Sequence, residues 1–211
     1  MNATGSLWAG VDVGAAAKGF HLALVDGRRL VGGPARCRTA AEAVQLLSAW
    51  KPRLVAVDSP LRPAPAGERS RPCEREFARA KICGLRYTPD RLTLRTSPYY
   101  AWILNGFVLY RGLTAAGLAA IECFPTASWT RWYGPRRTTG RAAWSAAALR
   151  RLPLAEVPAR LDQDERDAIG AALTAWEHDR DLTERFGDLV VPRCRTFANL
   201  DAGARLRYTT V

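Results

Sequence analysis

The sequence is poor in the residues that build structural zinc sites and disulfide frameworks. It contains two histidines, His21 and His178, and five scattered cysteines, with no CxxC pair. A structural zinc ion usually requires four closely spaced cysteine or histidine ligands, so a zinc-stabilised fold is not expected. An odd number of scattered cysteines is typical of free thiols in a reducing compartment. We therefore expect a cytoplasmic protein.

Long apolar runs and lysines are also scarce. No apolar run reaches the roughly 18 residues that span a bilayer, and the first ten residues lack the basic and apolar regions of a secretion signal. Of 31 basic residues, set against 20 acidic ones, only Lys18, Lys51 and Lys81 are lysines, so arginine carries almost all of the +11 net charge. Arginine binds phosphate in bidentate fashion. The charge predicts a nucleic acid partner, DNA or RNA, and no membrane, although a GC-rich genome would also favour arginine over lysine.

The first part of the chain predicts three antiparallel strands, a helix and a further strand. Residues 6–13 are continuously apolar, residues 19–25 alternate, and Asp26-Gly27 is a hairpin signal before a third strand at 28–37. Thr39 with Glu42 forms a capping-box pattern for a helix over 40–50. Residues 53–58 then predict a short strand parallel to the first. The order is β-β-β-α-β, an α/β class.

Two arginine-rich segments interrupt the rest of the chain. Residues 60–117 are rich in proline and arginine, with a short helix predicted near 73–82 and a long helix beginning at Ser97-Pro98. A second segment, rich in arginine and tryptophan, covers about 126–160. Between and after them we expect a strand at 118–124, a helix from Asp162 to about Glu177 and a short strand at 188–191. We predict one domain over 1–211 with these two segments as excursions.

Four acidic residues lie where acids are usually avoided. Asp12, Asp58 and Glu122 end strand-like apolar runs, and Asp167 lies in the first turns of the last helix. A buried carboxylate is unfavourable unless it is paired or binds a metal ion. Convergence of these acids would be most simply explained by a divalent-cation site. Asp12 and Asp58 also have a simpler explanation as turn formers, and Asp167 as a helix-start residue.

Several motifs resemble one known group of proteins. They are GVDVGAAAKGFHLALVD, VAVDSPLR, the R-x-C-E of Arg71 to Glu74, SPYYAW, IECFPTASW, DERDAIGAALTAW and GDLVVP, in order along nearly the whole chain. The set resembles the RNase H-like superfamily and, more closely, a family of predicted RNase H-like nucleases catalogued as a domain of unknown function. The resemblance implies a mixed five-stranded sheet whose first three strands are antiparallel, flanked by helices.

The resemblance also implies a site and a reaction. Asp12, Asp58, Glu122 and Asp167 are the implied catalytic residues, and Asp164 would join Asp12, Asp58 and Asp167 as a metal ligand. Mg²⁺ or Mn²⁺ suits an all-carboxylate set. Two such ions, roughly 3.5–4 Å apart, would promote attack of water on a phosphodiester bond. The implied activity is that of a metal-dependent nuclease.

Candidate substrate-binding residues and competing functions remain open. Lys18, Arg69 and Arg71 are candidates for phosphate contacts. The alternatives are that Lys18 faces solvent and that the two arginines form a structural ion pair with Glu74. His21 lies in an alternating strand as a surface or sheet residue and is assigned no role. The alternatives are a nucleic-acid-binding RNase H-like module without turnover and a nucleotide-binding protein like actin or sugar kinases, which share this strand topology. The latter need a second phosphate loop, which the sequence does not contain.

Overall fold

A single mixed sheet organises the protein. The computed structural model describes residues 5–193. The sheet has seven strands in the order β3-β2-β1-β4-β5-β7-β6. The strands are β1 (Trp8–Val13), β2 (Phe20–Val25), β3 (Leu30–Cys37), β4 (Leu54–Asp58), β5 (Ala120–Cys123), β6 (Thr183–Phe186) and β7 (Leu189–Pro192).

In the described part of the chain, seven α-helices pack around this sheet. They are α1 (Ala40–Trp50), α2 (Pro72–Arg79), α3 (Arg91–Thr96), α4 (Ala101–Ala115), α5 (Pro125–Tyr133), α6 (Arg141–Arg151) and α7 (Gln163–His178). A 3₁₀ turn over Pro98–Tyr100 precedes α4. Helices α2 to α4 lie in the first arginine-rich segment, and α5 and α6 lie in the second. Among residues 5–193, no helix is both long and apolar enough to cross a bilayer.

The pairing of the first four strands agrees with the sequence prediction. β1 and β2 are antiparallel, as are β2 and β3, and β4 lies parallel to β1 on its other side. β5 and β7 continue the sheet in parallel, and β6 closes it antiparallel to β7. The predicted count of five strands is therefore too low. β6 has no apolar signal because its four residues, TERF, include two charged side chains.

Strict alternation along the strands separates two apolar layers. Trp8 of β1 and Ala56 of β4 pack beneath α7, in the same cluster as Trp129. The intervening residues Val11 and Val57 pack on the opposite face, in the cluster that includes residues of α1 and α4. Alternate residues along a strand therefore contact the helices on opposite faces of the sheet.

Helix α7 packs directly on β1 at a glycine. A Cβ atom at Gly10 would lie 2.1 Å from the carbonyl oxygen of Ala168 and from the amide nitrogen of Ala172. The helix backbone thus rests on the strand without an intervening side chain. Because the turn of α7 that contains Ala168 covers Gly10, the preceding turns lie over the C-terminal end of β1, where Asp12 is located. This contact brings the acids of strand and helix together.

Candidate active site

A cleft of about 600 Å³ opens at the C-terminal ends of β1 and β4. Acidic and basic side chains both line the cleft. The acids are Asp12, Asp58, Glu74, Glu122, Asp164 and Asp167, and the bases are Lys18, Arg71, Arg86, Arg136 and Arg141. All five acids predicted from the sequence therefore border one space. We call Lys18, Arg86, Arg136 and Arg141 the rim cations, because all four are exposed at its edge.

Asp12 and Asp58 form the centre of the acidic group. They are in register on the parallel strands β1 and β4, so both side chains point to the face covered by α7. Burial and the charge of Asp58 raise the pKa of Asp12 well above its ordinary value. Burial and the charge of Asp167 likewise raise the pKa of Asp58 to about 8. In the absence of a cation, the pair therefore holds a proton at neutral pH.

Helix α7 contributes two further acids from its first turns. It begins with a capping box in which Asp162 accepts from the amide of Glu165 at 2.8 Å and Glu165 accepts from the amide of Asp162 at 2.7 Å. This cap fixes where the helix starts. Asp164 and Asp167 are three residues apart and so lie on one side of the helix. The spacing predicted from the sequence directs both carboxylates into the cleft.

Three donors hold the carboxylate of Asp167. Trp129 Nε1 donates to Oδ1 at 2.9 Å, while Arg141 Nη2 and Gln163 Nε2 donate to Oδ2 at 2.7 and 2.8 Å. The residue is 1% exposed, and burial raises the pKa of its carboxyl group even though Arg141 acts in the opposite direction. The orientation of Asp167 is thus fixed before any cation binds.

Glu122 points away from the other acids. It is in register with Val57 of β4 rather than with Asp58, and strand residues in register point to the same face. Its carboxylate accepts two hydrogen bonds from Arg71, at 2.5 and 2.7 Å, and one from the amide of Leu61 at 2.7 Å. Glu122 therefore anchors the first arginine-rich segment to β5. A catalytic role for Glu122 stays a prediction.

The three predicted phosphate contacts lie in different environments. Arg71 is buried and also bonds Glu74, so its guanidinium is already engaged by two carboxylates. Lys18 is exposed at the cleft rim, with its Nζ 2.7 Å from Asp164 Oδ2. Arg69 is exposed and lies outside the residues that line the cleft. Of the three, only Lys18 combines exposure with a place at the acids.

Sequence reasoning missed several side chains that contact or approach the acids, among them Arg141 and His21. Arg141 binds Asp167 from α6, and nothing in its local sequence distinguishes it from the many other arginines. His21 is buried in the sheet, opposite Asp12, rather than on the surface. One imidazole nitrogen of His21 and one carboxylate oxygen each from Asp12 and Asp164 lie within 4.8 Å of one another. The predicted antiparallel pairing of β1 and β2 could have identified His21, because the register of this pair places His21 opposite Asp12.

The fold is similar to that of solved RuvC structures. RuvC of Thermus thermophilus in complex with a Holliday junction substrate aligns over 85% of this chain and 98% of that chain, with a TM-score of 0.51 and 18% identity. A second Thermus thermophilus RuvC structure aligns over 83% and 96%, with a TM-score of 0.49 and 18% identity. No protein-family model and no curated protein matches the sequence, and the narrower family resemblance stays a prediction. The chain has the RNase H-like fold that the sequence predicted.

Proposed function

We propose that this protein is a metal-dependent nuclease that hydrolyses phosphodiester bonds of nucleic acid. The observation that carries the proposal is the convergence of Asp12, Asp58, Asp164 and Asp167 from three elements into one open cleft. Burial and mutual repulsion raise the pKa values of Asp12 and Asp58, which makes the arrangement unfavourable for folding alone. A protein retains such a group of carboxylates when they bind cations.

The donor set fits Mg²⁺ or Mn²⁺. The four aspartates offer hard carboxylate oxygens, which these ions prefer. When bound, the ions would supply the Lewis acidity for attack of water on phosphorus. The charges of Asp58, Asp164 and Asp167 all act on Asp12, and Trp129 and Gln163 hold Asp167 in a fixed orientation. Arg141 bonds Asp167, and a bound cation would free its guanidinium to contact a phosphate oxygen.

The rim of the cleft suits a polyanion. The four rim cations surround the acids, and arginine matches phosphate groups bidentately. Tyr99 also lines the cleft, with 51% of its surface exposed, and Arg86 packs over its ring at 5.4 Å. An exposed aromatic ring beside a cation can stack on a nucleobase. Arg69, outside the cleft, remains a predicted contact on the neighbouring surface.

Cleavage assays on a substrate panel test the proposal. The panel should contain a four-way DNA junction, because the RuvC structure that shares this fold holds a Holliday junction substrate, together with duplex DNA, single strands and an RNA–DNA hybrid. We expect Mg²⁺- or Mn²⁺-dependent cleavage of at least one substrate, and none by Asp12→Asn. The matched control is Asp26→Asn, since Asp26 follows β2 at the opposite end of the sheet. A fully active Asp12→Asn variant would refute the metal mechanism.

A binding module without turnover is the second candidate. Lys18 and Arg141 form ion pairs with Asp164 and Asp167, and these pairs would neutralise the acids in a protein that binds nucleic acid without cutting it. Salt-sensitive binding of the panel with no cleavage under either metal would favour this candidate. A measurable ATP affinity without nuclease activity would instead favour an actin-like or sugar-kinase-like protein.

A further inference from the structure

His21 faces the acids from a different strand. Asp12 and His21 are directly opposed in the antiparallel pair of β1 and β2, and opposed residues point to the same face of a sheet. Ala23 and Val25, on the same row of β2, pack in the cluster beneath α7. Potential ligand atoms of Asp12, His21 and Asp164 lie within 4.8 Å of one another. Three ligands thus converge from β1, β2 and α7.

The imidazole of His21 is buried with unused bonding capacity. The residue is 7% exposed, and its Nδ1 has no hydrogen-bond partner among residues 5–193. Buried polar atoms are nearly always bonded to protein, water or an ion. The other histidine shows the contrast, because His178 Nδ1 lies 2.8 Å from the hydroxyl of Thr183. His21 therefore has the features of a ligand rather than of a structural histidine.

Neither Arg36 nor Lys18, the neighbouring cations, bonds the imidazole of His21. Arg36, the partner of His21 on β3, donates to the carbonyl oxygens of Ala17 and Lys18 at 2.7 and 2.9 Å. Lys18 holds one oxygen of Asp164, but its side chain is 63% exposed. It can move into solvent, or onto a phosphate group, when a metal ion neutralises Asp164. Asp12 and Asp164 line the cleft, and His21 lies behind them in the sheet, within 4.8 Å of both.

We propose that the cleft has two chemically different metal positions that share Asp12. One is formed with Asp58 and Asp167 and is entirely carboxylate, whereas the other is formed with Asp164 and the imidazole of His21. This inference rests on the proposed function, which makes the cleft a divalent-cation site. Imidazole suits transition-metal ions, whereas Mg²⁺ prefers oxygen ligands. The mixed position therefore takes Mn²⁺ in preference to Mg²⁺, and the carboxylate position accepts either ion.

Electron spin echo envelope modulation of bound Mn²⁺ tests the imidazole ligand directly. The sample is tag-free full-length protein with Mn²⁺ alone, without nucleic acid. Because the chain has only two histidines, we expect nitrogen modulation from wild type and from the control variant His178→Gln, and its loss in His21→Gln. Absence of nitrogen modulation from wild type overturns the proposal, and this result does not depend on the folding of any variant.

Calorimetric titration tests the predicted selectivity. His21→Gln should weaken Mn²⁺ binding by about tenfold or more, since even groups that only orient a metal ligand change affinity by that factor. Mg²⁺ binding should weaken by a smaller factor, so the preference for Mn²⁺ falls. Circular dichroism melting establishes that the variant is folded. If the substitution weakens Mn²⁺ and Mg²⁺ binding by the same factor, the predicted selectivity is wrong.

The outcomes separate this inference from the proposed function. Cleavage by Mn²⁺-loaded wild type without nitrogen modulation overturns the mixed position and leaves the nuclease function standing. Nitrogen modulation that His21→Gln abolishes, without cleavage of any substrate, supports the mixed position and overturns the nuclease function.

Discussion

In the absence of metal, the Asp12–Asp58 pair should make the protein less stable as the pH rises. Burial and the charge of Asp167 raise the pKa of Asp58 from its ordinary 3.8 to about 8 in the folded protein. Between these values the folded state holds a proton that the unfolded chain releases. A carboxyl group whose pKa is raised by folding therefore does not destabilise the folded state below about pH 4. Its destabilising effect grows as the pH rises toward 8.

The size of the effect follows from one proton. Each pH unit changes the free energy of unfolding by about 1.4 kcal/mol. From pH 5 to pH 7.5, the free energy of unfolding of wild type should fall by about 3 kcal/mol relative to that of Asp58→Asn, because the variant has no carboxyl group at position 58 to titrate. For a domain of this size that corresponds to a shift of about 6–12 °C in Tm.

Urea denaturation in EDTA at several pH values measures this difference. The free energy of unfolding of Asp58→Asn minus that of wild type should increase with pH, reaching about 3 kcal/mol more at pH 7.5 than at pH 5. Asp26→Asn is the control, because hydrogen bonds from Arg28 and Arg29 lower the pKa of Asp26 against the effect of burial, so its curve should parallel wild type in this range. If the curve of Asp58→Asn also parallels wild type, the shared-proton reasoning is refuted.

Three further predictions concern packing, the buried ion pairs and the rim. Gly10→Ala should destabilise the protein by about 3 kcal/mol or more, because its Cβ would overlap the α7 backbone; a normal thermal melt would contradict the contact. Arg71→Ala leaves Glu74 and Glu122 buried without their partner, so chemical denaturation should show a loss of about 3–5 kcal/mol, whereas exposed Arg69→Ala should change stability by less than about 0.5 kcal/mol. If the four rim cations contact phosphates, affinity for nucleic acid in fluorescence anisotropy should fall about a hundredfold between 50 and 200 mM salt; salt-independent binding would contradict this.

Local patterns in the sequence indicate which elements carry four of the predicted acids. Asp12 and Asp58 each end an apolar run, and Asp164 and Asp167 follow a helix-start signal, so their elements and their common edge of the sheet could be predicted. Glu122 has the same local pattern but faces the other way. The register between β4 and β5 decides this, because it pairs Glu122 with Val57 rather than with Asp58, and two strands so far apart in the sequence give no local signal of their register.

Long-range contacts explain what the sequence did not reveal. His21 needed the cross-strand register of β1 and β2 to be placed opposite Asp12. Arg141 reaches Asp167 across 26 residues, and it resembles every other arginine in a sequence where arginine is abundant. β6 is short and polar, so it depends on pairing with β7 rather than on its own pattern. Such features arise from packing between elements, which a single sequence encodes only indirectly.

The ion pairs of Lys18 and Arg141 have a consequence for the order of binding. In the metal-free cleft, four aspartates that share a proton face two cations bonded to Asp164 and Asp167. The local charge is thus close to balanced, and phosphate is not repelled before a metal ion arrives. Under the proposed function, nucleic acid and metal ion would therefore bind in either order, and complexes formed in EDTA would be a step toward the metal-loaded complex. A cation that arrives second would find the phosphate already in the cleft as an additional ligand.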